Sequence, residues 1–267
     1  MSRAAGPHRC NQEHHRMTAS PTIPEVDLEF DHGSFNSAVF AAEALANCRA
    51  LASVIDHTLL KPEATRAQVE TLCEEALRYR FACAMVNPVW ASTAVKLLSG
   101  TGVPVGAVIG FPLGASLVST LRHEAASLIR LGVRELDMVI PIGPLKTGDH
   151  IAALHTIQAV AKVAHGHGAL LKVILETALL SVAEKLRASE IAIQAGADFI
   201  KTSTGFASGG ATAADVALMR GIAGSRCGVK ASGGIRTLAD VKALLEAGAN
   251  RIGASASVSI VRELGAD

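Results

Sequence analysis

The chain has 267 residues, of which 49% are hydrophobic, and a formal net charge of +1. This length suffices for one large domain with a sizeable core. The near-neutral charge, without a long basic run, argues against nucleic acid as a partner. Aromatic residues make up only 3%, so the core must be built from Ala, Val, Leu and Ile, which suits a parallel sheet covered on both faces.

The five cysteines are scattered and form no CxxC pair. This pattern disfavours a disulfide framework and indicates a reducing, cytoplasmic setting. The N-terminus lacks the apolar core of a signal peptide, and no uninterrupted apolar stretch is long enough to span a bilayer. The sequence therefore predicts a cytoplasmic protein with no membrane partner.

Residues 1–35 differ in composition from the rest of the chain. They carry His8, Cys10, His14 and His15, which could bind a metal, but their spacing matches no zinc pattern. Because this stretch also lacks hydrophobic periodicity, it is predicted to be a disordered tail. Residues 36–267 are predicted to form a single domain.

The remaining sequence alternates regularly between helical and strand patterns. The pattern predicts a helix over 37–51, a strand over 53–60, and a helix that begins at a Thr65-x-x-Gln68 capping box and runs to about residue 79. A second capping box is Ser181-x-x-Glu184. Further strands are predicted at 82–86, 103–109, 135–140, 170–175, 198–201, 228–231 and 251–254, with helices between them.

Glycine ends several of these helices just before a strand, as at Gly132, Gly196 and Gly248. The resulting rhythm of about eight strands, each followed by a helix, is typical of an α/β fold, the (β/α)8 TIM barrel, here with an extra N-terminal helix. A doubly wound open sheet is the alternative. The lack of a GxGxxG motif after an early strand weakens its dinucleotide-binding version.

Two lysines occur inside apolar runs that read as buried strands: Lys201 in FIKTS and Lys230 in GVKAS. Burial of an ammonium group costs several kcal/mol or lowers its pKa. Such a lysine is a candidate amine nucleophile, or the neighbour that activates one. The alternative is that both form buried salt bridges, with Asp137 and Glu176 as partners.

In a (β/α)8 barrel the active site lies at the carboxyl ends of the strands. Polar residues within or just after the predicted strands are Asp56, His57, Asn87, Asp137, Lys172, Glu176, Lys201 and Lys230. Lys201 and Lys230 fall on adjacent strands, so each is expected to lower the pKa of the other amine. Asp137 could move protons near a carbonyl carbon. Lys172 and Glu176 share strand parity and are predicted to form a supporting ion pair, and His57 is predicted to be structural.

The loops after the last three strands are rich in glycine. They contain Gly205, the pair Gly233 and Gly234, and the stretch from Gly253 to Ser255. Backbone N–H groups in such loops suit a phosphate, and phosphate sites after strands seven and eight recur in these barrels. The alternative is a set of ordinary tight turns.

These segments together resemble the deoxyribose-phosphate aldolase family over about residues 50–261. The matching stretches are IDHTLL at 55–60, GFPLG at 110–114, ELDMV at 135–139, FIKTSTGF at 199–206 and VKASGGIR at 229–236. The resemblance implies a metal-free class I aldolase without cofactor, which cleaves 2-deoxy-D-ribose 5-phosphate reversibly into acetaldehyde and glyceraldehyde 3-phosphate. It also implies that Lys201 forms the Schiff base, Lys230 perturbs it, and Asp137 takes part in the proton relay.

The resemblance further implies which residues bind the substrate and its phosphate: Asp56, Thr204, Gly205, Gly233, Gly234 and Ser255. The chain departs from the family at Met85, where a cysteine is frequent, and at Ala256, where a second serine is frequent. The implied partners are a sugar phosphate and further copies of the chain, as a dimer or tetramer. Two other functions stay open at this point: another Schiff-base barrel with a different donor, and a non-catalytic sugar-phosphate sensor.

Overall fold

A computed structural model describes residues 35–265, and the predicted tail with its histidines and cysteine lies outside the described residues. The described chain alternates between strands and helices, as the hydrophobic pattern predicts. The eight strands are β1 Ile55–Leu59, β2 Cys83–Val86, β3 Val105–Ile109, β4 Glu135–Val139, β5 Leu170–Ile174, β6 Phe199–Lys201, β7 Gly228–Ser232 and β8 Arg251–Ala254.

The helices occupy the intervals between these strands and cover the outside of the sheet. They are α1 Ser37–Ala44, α2 Cys48–Ala52, α3 Arg66–Tyr79, α4 Ala91–Leu98, α5 Val118–Leu131, α6 Ile142–Lys146, α7 His150–His165, α8 Val182–Gln194, α9 Ala213–Ala223, α10 Leu238–Glu246 and α11 Ser257–Glu263. Short 3-10 turns lie at Pro88–Trp90 and Thr177–Leu179.

The strands form a closed parallel barrel in chain order, in which β8 returns to pair with β1. Ile55 lies opposite Ile252 at this closing seam. Closure excludes the open doubly wound sheet and confirms the (β/α)8 barrel. It also brings the carboxyl ends of all eight strands to one mouth.

The two predicted capping boxes are confirmed. Thr65 and Gln68 cap the first turn of α3, and Ser181 and Glu184 cap that of α8. Each pair satisfies backbone N–H groups that the helix leaves without partners. A helix that begins at a fixed residue also fixes the length of the loop before it, and these loops surround the barrel mouth.

The single helix predicted over 37–51 is wrong, because the structure has two helices there. α1 ends at Ala44, and α2 begins after Asn47, whose side chain accepts a hydrogen bond from the Ala50 N–H. Asparagine competes well for backbone hydrogen bonds and favours a cap over a helix interior. The apolar pattern continued through this break, which is why periodicity alone missed it.

The main apolar core lies between the barrel and its helices and consists chiefly of Ala, Val, Leu and Ile side chains. Inside the barrel the composition is different. Strands β1 and β4 to β8 direct charged side chains inward, whereas β2 and β3 contribute a small apolar cluster. This division places a polar half and an apolar half side by side under the mouth.

No helix among residues 35–265 is both long enough and apolar enough to cross a membrane.

Candidate active site

A cluster of seven charged side chains fills the polar half of the barrel. It comprises Asp56, Glu135, Asp137, Lys172, Lys201, Lys230 and Arg251. Strand register brings them together, since Asp137 lies opposite Lys172 and Lys201 lies opposite Lys230. The prediction that the two lysines occupy equivalent positions on adjacent strands is therefore confirmed.

Asp137 connects the lysines. Its Oδ2 accepts hydrogen bonds from Lys201 Nζ at 2.8 Å and from Lys230 Nζ at 2.7 Å. Its Oδ1 accepts one from Lys172 Nζ at 2.8 Å. A single carboxylate therefore fixes three amines, and it brings Lys201 and Lys230 to the same oxygen.

Two further carboxylates hold the other cations from below. Asp56 accepts from Lys230 Nζ at 2.5 Å and from Arg251 Nη1 at 2.7 Å. Glu135 lies 2.6 Å from Lys172 Nζ. Lys172 thus has three carboxylate partners, with Asp56 the most distant at 3.3 Å, and Lys230 has two, whereas Lys201 has one, which it shares.

The charge balance of the cluster singles out Lys201. Four cations face three carboxylates, so the cluster is neutral only when one amine has lost its proton. Burial, reinforced by the neighbouring Lys230 and Lys172 ammonium groups, lowers the pKa of Lys201 to about 8, against the attraction of Asp137. A neutral amine is the nucleophilic form, and Lys201 can supply it near neutral pH.

Burial contributes more than the neighbouring Lys230 to the lowered pKa of Lys201. An ammonium group that is shielded from water loses its solvation, and this cost lowers its pKa even without a neighbouring charge. The second lysine adds to that shift. Both causes are ones that the sequence predicts, and burial is the larger of the two.

Asp137 and Lys172 stay ionised. Burial by itself would raise the pKa of Asp137, but the ammonium groups of Lys172, Lys201 and Lys230 hold it well below its usual range. Burial likewise opposes the charge on Lys172, yet the surrounding carboxylates raise its pKa well above the ordinary value. Asp137 is therefore a permanent carboxylate, and Lys172 is a permanent cation.

A glycine on β8 makes room for Lys230. A Cβ atom at Gly253 would lie 3.0 Å from Lys230 Cε and 3.0 Å from Ser232 Cβ. Side chains rarely approach a Cβ this closely, so the glycine leaves room for the lysine to run across the inner face of β8 toward Asp56 and Asp137.

An apolar wall faces the charged cluster across the barrel. It consists of Leu60, Cys83, Met85 and Val108, with Phe111 packed against them. The Phe111 ring meets the Phe206 ring edge to face, with centroids 5.3 Å apart. Phe206 is half exposed, so this aromatic pair connects the loops after β3 and β6 at the mouth. Met85, the first departure from the family pattern, is fully buried in this wall.

The loop after β6 is tied to the end of β7. The Thr202 hydroxyl donates to Ser232 O at 3.0 Å and accepts from Ser232 N at 3.1 Å. Ser232 Oγ donates to Ser203 O at 2.6 Å. A Cβ at Gly233 would lie 3.5 Å from Gly205 Cα, so the glycine loops after both strands lie against each other.

These loops present backbone N–H groups at the mouth. The N–H groups of Gly205, Gly233, Gly234 and Ser255 donate to no protein acceptor within residues 35–265. Gly205, Gly234 and Ser255 are exposed. The predicted anion site therefore has donors in place, in loops that follow β6, β7 and β8.

The predicted ion pair between Lys172 and Glu176 is wrong. Lys172 binds the carboxylates of the cluster, and Glu176 accepts instead from Thr204. β5 ends at Ile174, and Glu176 has a left-handed backbone with φ 57°. Strand parity no longer determines where a side chain points once the chain has left the strand, so the parity argument failed there.

His57 lies outside the site, as predicted. Its Nε2 is 2.8 Å from Glu75 Oε2, and its ring packs against Phe81. Glu135 and Arg251 complete the cluster and are not among the residues predicted from the sequence. Glu135 shares strand parity with Asp137, and this signal could have identified it.

One group of potential metal ligands occurs among the described residues. Ligand atoms of Asp56, Cys83 and Glu135 lie within 4.8 Å of one another. Both carboxylates already pair with Lys172 and Arg251. Burial, with Glu135 and Asp56 nearby, raises the pKa of the Cys83 thiol well above its ordinary value. Lys172 and Arg251 therefore balance the carboxylate charges that would otherwise attract a metal ion.

The fold and its polar centre define a class of protein, the (β/α)8 barrel enzymes with their reactive groups at the carboxyl ends of the strands. Within that class the chain belongs to the DeoC/LacD family of aldolases, because the family model matches residues 25–262.

Curated relatives agree with this assignment. A deoxyribose-phosphate aldolase of Geobacillus sp. (strain WCH70) is 54% identical over 211 residues, which cover 79% of this chain and 94% of the relative. One of Thermoanaerobacter sp. (strain X514) is 51% identical over 214 residues, covering 80% and 96%. The tetrameric deoxyribose phosphate aldolase of Aeropyrum pernix superposes with a TM-score of 0.79 at 34% identity, covering 85% of this chain and 96% of that one.

Proposed function

We propose that the protein cleaves 2-deoxy-D-ribose 5-phosphate reversibly into acetaldehyde and D-glyceraldehyde 3-phosphate, with Lys201 as the Schiff-base residue. The observation that carries the proposal is a buried amine with a pKa of about 8 that lies 2.8 Å from the Asp137 carboxylate under the barrel mouth. The names of the relatives indicate the substrate, and the backbone N–H groups of the glycine loops after β6, β7 and β8 that lack an acceptor within residues 35–265 suit its phosphate.

The reaction begins when the neutral Lys201 amine attacks C1 of the open-chain aldehyde. The carbinolamine loses water to give a protonated imine. This cation withdraws electrons as the C3 hydroxyl loses its proton and the C2–C3 bond breaks. Glyceraldehyde 3-phosphate leaves, C2 of the remaining enamine takes up a proton, and water hydrolyses the imine to release acetaldehyde and the free amine.

The charged cluster manages the protons of this cycle. Asp137 stays ionised and acts as an acceptor that orients Lys201 and Lys230, because its low pKa makes it a poor proton donor. Lys230 Nζ lies 2.7 Å from Asp137 Oδ2, the oxygen that also binds Lys201. Lys230 rather than Asp137 is therefore the group that donates a proton during the reaction. Asp56 acts by holding Lys230 in place, since its two oxygens bind Lys230 and Arg251 and the residue is fully buried.

The phosphate of the substrate binds the backbone N–H groups of Gly205, Gly233, Gly234 and Ser255. Oriented N–H donors stabilise an anion without requiring a lysine or arginine at each contact. Thr204 belongs to the same site through the Gly205 loop. Ala256 lacks the hydroxyl that the family pattern places there, so its contribution is limited to its backbone.

We further propose that the chain assembles into a homo-oligomer in a reducing cytoplasm. Support for the assembly comes from the tetrameric relative of Aeropyrum pernix. Support for the compartment comes from the free thiols at Cys48, Cys73, Cys83 and Cys227. Light scattering of the purified protein tests the assembly, and a mass of one chain would contradict it.

Borohydride trapping tests the assignment of Lys201. Incubation with acetaldehyde and borohydride should add a reduced two-carbon unit to Lys201, which peptide mass mapping locates. Lys201→Met should show no adduct and no turnover, whereas Lys242→Met, at an exposed lysine on α10, serves as the matched control and should behave as the wild type. An adduct found mainly on Lys230 or Lys172 would reject the assignment.

A further inference from the structure

The charged cluster leaves one buried acid unexplained, Glu176. The residue is only 2% exposed and follows the end of β5. Its backbone is left-handed, with φ 57° and ψ 64°, a conformation that residues with a side chain adopt at a cost. Within residues 35–265 its carboxylate has no lysine or arginine as an ion-pair partner. A buried, unpaired carboxylate on a strained backbone is costly, so its contacts indicate what it contributes.

Within residues 35–265, the hydrogen bonds to this carboxylate all come from Thr204. The Thr204 N–H lies 3.3 Å from Oε2 and 3.4 Å from Oε1, and the Thr204 hydroxyl donates to Oε2. The same hydroxyl oxygen accepts a hydrogen bond from the Phe206 N–H at 3.0 Å. Glu176 therefore determines the position of Thr204, and through it that of Phe206.

This arrangement distinguishes the N–H group of Gly205 from its two neighbours. The N–H groups of Thr204 and Phe206 are both engaged within the protein, whereas the Gly205 N–H between them donates to no protein acceptor in the described chain. Because Gly205 lies against Gly233, its position also limits that of the next glycine loop.

We propose that Glu176 is a positioning residue that makes the enzyme selective for phosphorylated substrates. It holds Thr204 so that the Gly205 N–H remains available to the phosphate, and it does not touch the phosphate itself. The proposal rests on the proposed function, because it assigns a determinant of the same phosphate site. A substrate without a phosphate does not bind the Gly205 N–H, so replacing Glu176 should not change its kcat/KM.

The test compares two substrates, 2-deoxyribose 5-phosphate and unphosphorylated 2-deoxyribose. In Glu176→Ala, KM for the phosphorylated sugar should rise about 10-fold to 100-fold, the range expected when a charged hydrogen-bonding partner is lost. The kcat/KM for the unphosphorylated sugar should stay within about 2-fold, because no contact to a phosphate is at stake. The inhibition constant of inorganic phosphate, used as a competitive inhibitor, should rise by the same factor as KM.

Two variants serve as references for Glu176→Ala. Glu176→Gln retains an oxygen for the Thr204 N–H, and its amide can donate to the Thr204 hydroxyl oxygen, so it should lose less than Glu176→Ala. Glu246→Ala removes an exposed glutamate on α10 and should match the wild type. Equal losses on both sugars in Glu176→Ala, or an unchanged inhibition constant for phosphate, would overturn the proposal.

If Glu176→Ala does not fold, variants of Thr204 and acetaldehyde trapping at Lys201 still test the proposal. Thr204→Val removes the hydroxyl at nearly constant shape, and it should show the same split between substrates, with recovery in Thr204→Ser. Equal losses on both substrates in Thr204→Val would also overturn the proposal. Acetaldehyde trapping at Lys201 should survive in all these variants. If wild-type protein fails to trap at Lys201, the proposed function fails, whereas a missing split with intact trapping refutes only the role of Glu176.

Discussion

Lys201 differs from its neighbours because it is the cation that the buried cluster cannot fully neutralise. Lys172 contacts three carboxylates and Lys230 contacts two, whereas Lys201 shares one oxygen of Asp137 with Lys230. The same imbalance that makes its amine reactive should also make the folded protein less stable. Function and stability therefore oppose each other at this residue.

Replacing Lys201 should stabilise the protein while abolishing its activity. Lys201→Met leaves three cations and three carboxylates, and it should raise the free energy of unfolding near pH 7 by roughly 1–3 kcal/mol. Lys172→Met leaves Glu135 with Arg251 at 3.6 Å as its remaining cation and removes the partner of Asp137 Oδ1, so it should cost roughly 3–5 kcal/mol. Denaturant unfolding of both variants measures the difference, and a destabilised Lys201→Met would show that the amine is well paired when charged.

The effect of Lys201 on stability should depend on pH. Its pKa in the folded protein is about 8, below the ordinary value of 10.5. Between these two values the unfolded chain binds more protons than the folded one, so the penalty is complete below about pH 8 and disappears as pH approaches 10.5. The gain from Lys201→Met should therefore shrink over this window. A gain that does not change between pH 7 and pH 10 would contradict the low pKa.

Lys230 should lower the pKa of the Lys201 amine as well as transfer protons. In Lys230→Met the remaining three cations balance three carboxylates even when Lys201 is protonated, so the pKa of Lys201 should rise above 8. The pH of half-maximal borohydride trapping should move upward by about one unit, and turnover should fall about 100-fold or more. If that pH stays the same while turnover falls, Lys230 serves proton transfer alone.

At the scale of elements, strand register decides which side chains meet. The row that joins Lys201 to Lys230 continues to Arg251 on β8, and the row that joins Asp137 to Lys172 lies beside it. Side chains of such length fit into a closed barrel only where neighbouring strands leave space. Gly253 provides that space, since it lacks the Cβ that would meet Lys230.

Gly253→Ala should therefore reduce activity through Lys230. The new methyl group displaces the lysine from the Asp56 and Asp137 carboxylates, and a misplacement of this kind can lower kcat by about 100-fold. Crowding should also cost about 1–3 kcal/mol of stability. Gly221→Ala is the matched control, because Gly221 is an exposed position inside α9 with open space around it, and this change should add about 0.5–1 kcal/mol. Wild-type kcat in Gly253→Ala would show that Lys230 tolerates a shift.

At the scale of the whole molecule, the two ends of the barrel have separate tasks. The carboxyl ends of the strands carry the charged cluster and the glycine loops. At the opposite end, Arg220 of α9 joins the segments before β7 and β8, because its guanidinium donates to Gly248 O at 2.8 Å, Gly224 O at 2.7 Å and Cys227 O at 3.1 Å. It also donates to Asn250 Oδ1 at 3.2 Å.

Loss of Arg220 should therefore affect stability and leave the chemistry intact. Arg220→Met removes the donors that satisfy these buried carbonyl groups, at a cost of about 2–5 kcal/mol. The kcat at room temperature should remain within about 2-fold of the wild type, because the reacting groups lie at the other end. Thermal melts and steady-state kinetics on the same preparation separate the two effects, and a large fall in kcat with an unchanged Tm would contradict this division.

The sequence by itself determined the alternation of strands and helices, the capping boxes of α3 and α8, and the candidate residues Lys201, Lys230 and Asp137. These features depend on local hydrophobic pattern and on residue types that are costly to bury, so they can be read along the chain. Adjacency of the two lysines also followed, because chain order equals spatial order in this barrel.

Only the tertiary structure decided how the charges pair. Asp56, Asp137 and Arg251 lie far apart in the sequence, and closure of the barrel brings them into one cluster. Parity failed for Glu176 because the backbone turns into a left-handed conformation after β5, which no hydrophobic pattern records. The number of carboxylates around each amine depends on long-range packing, and this number makes Lys201 the amine that can lose its proton.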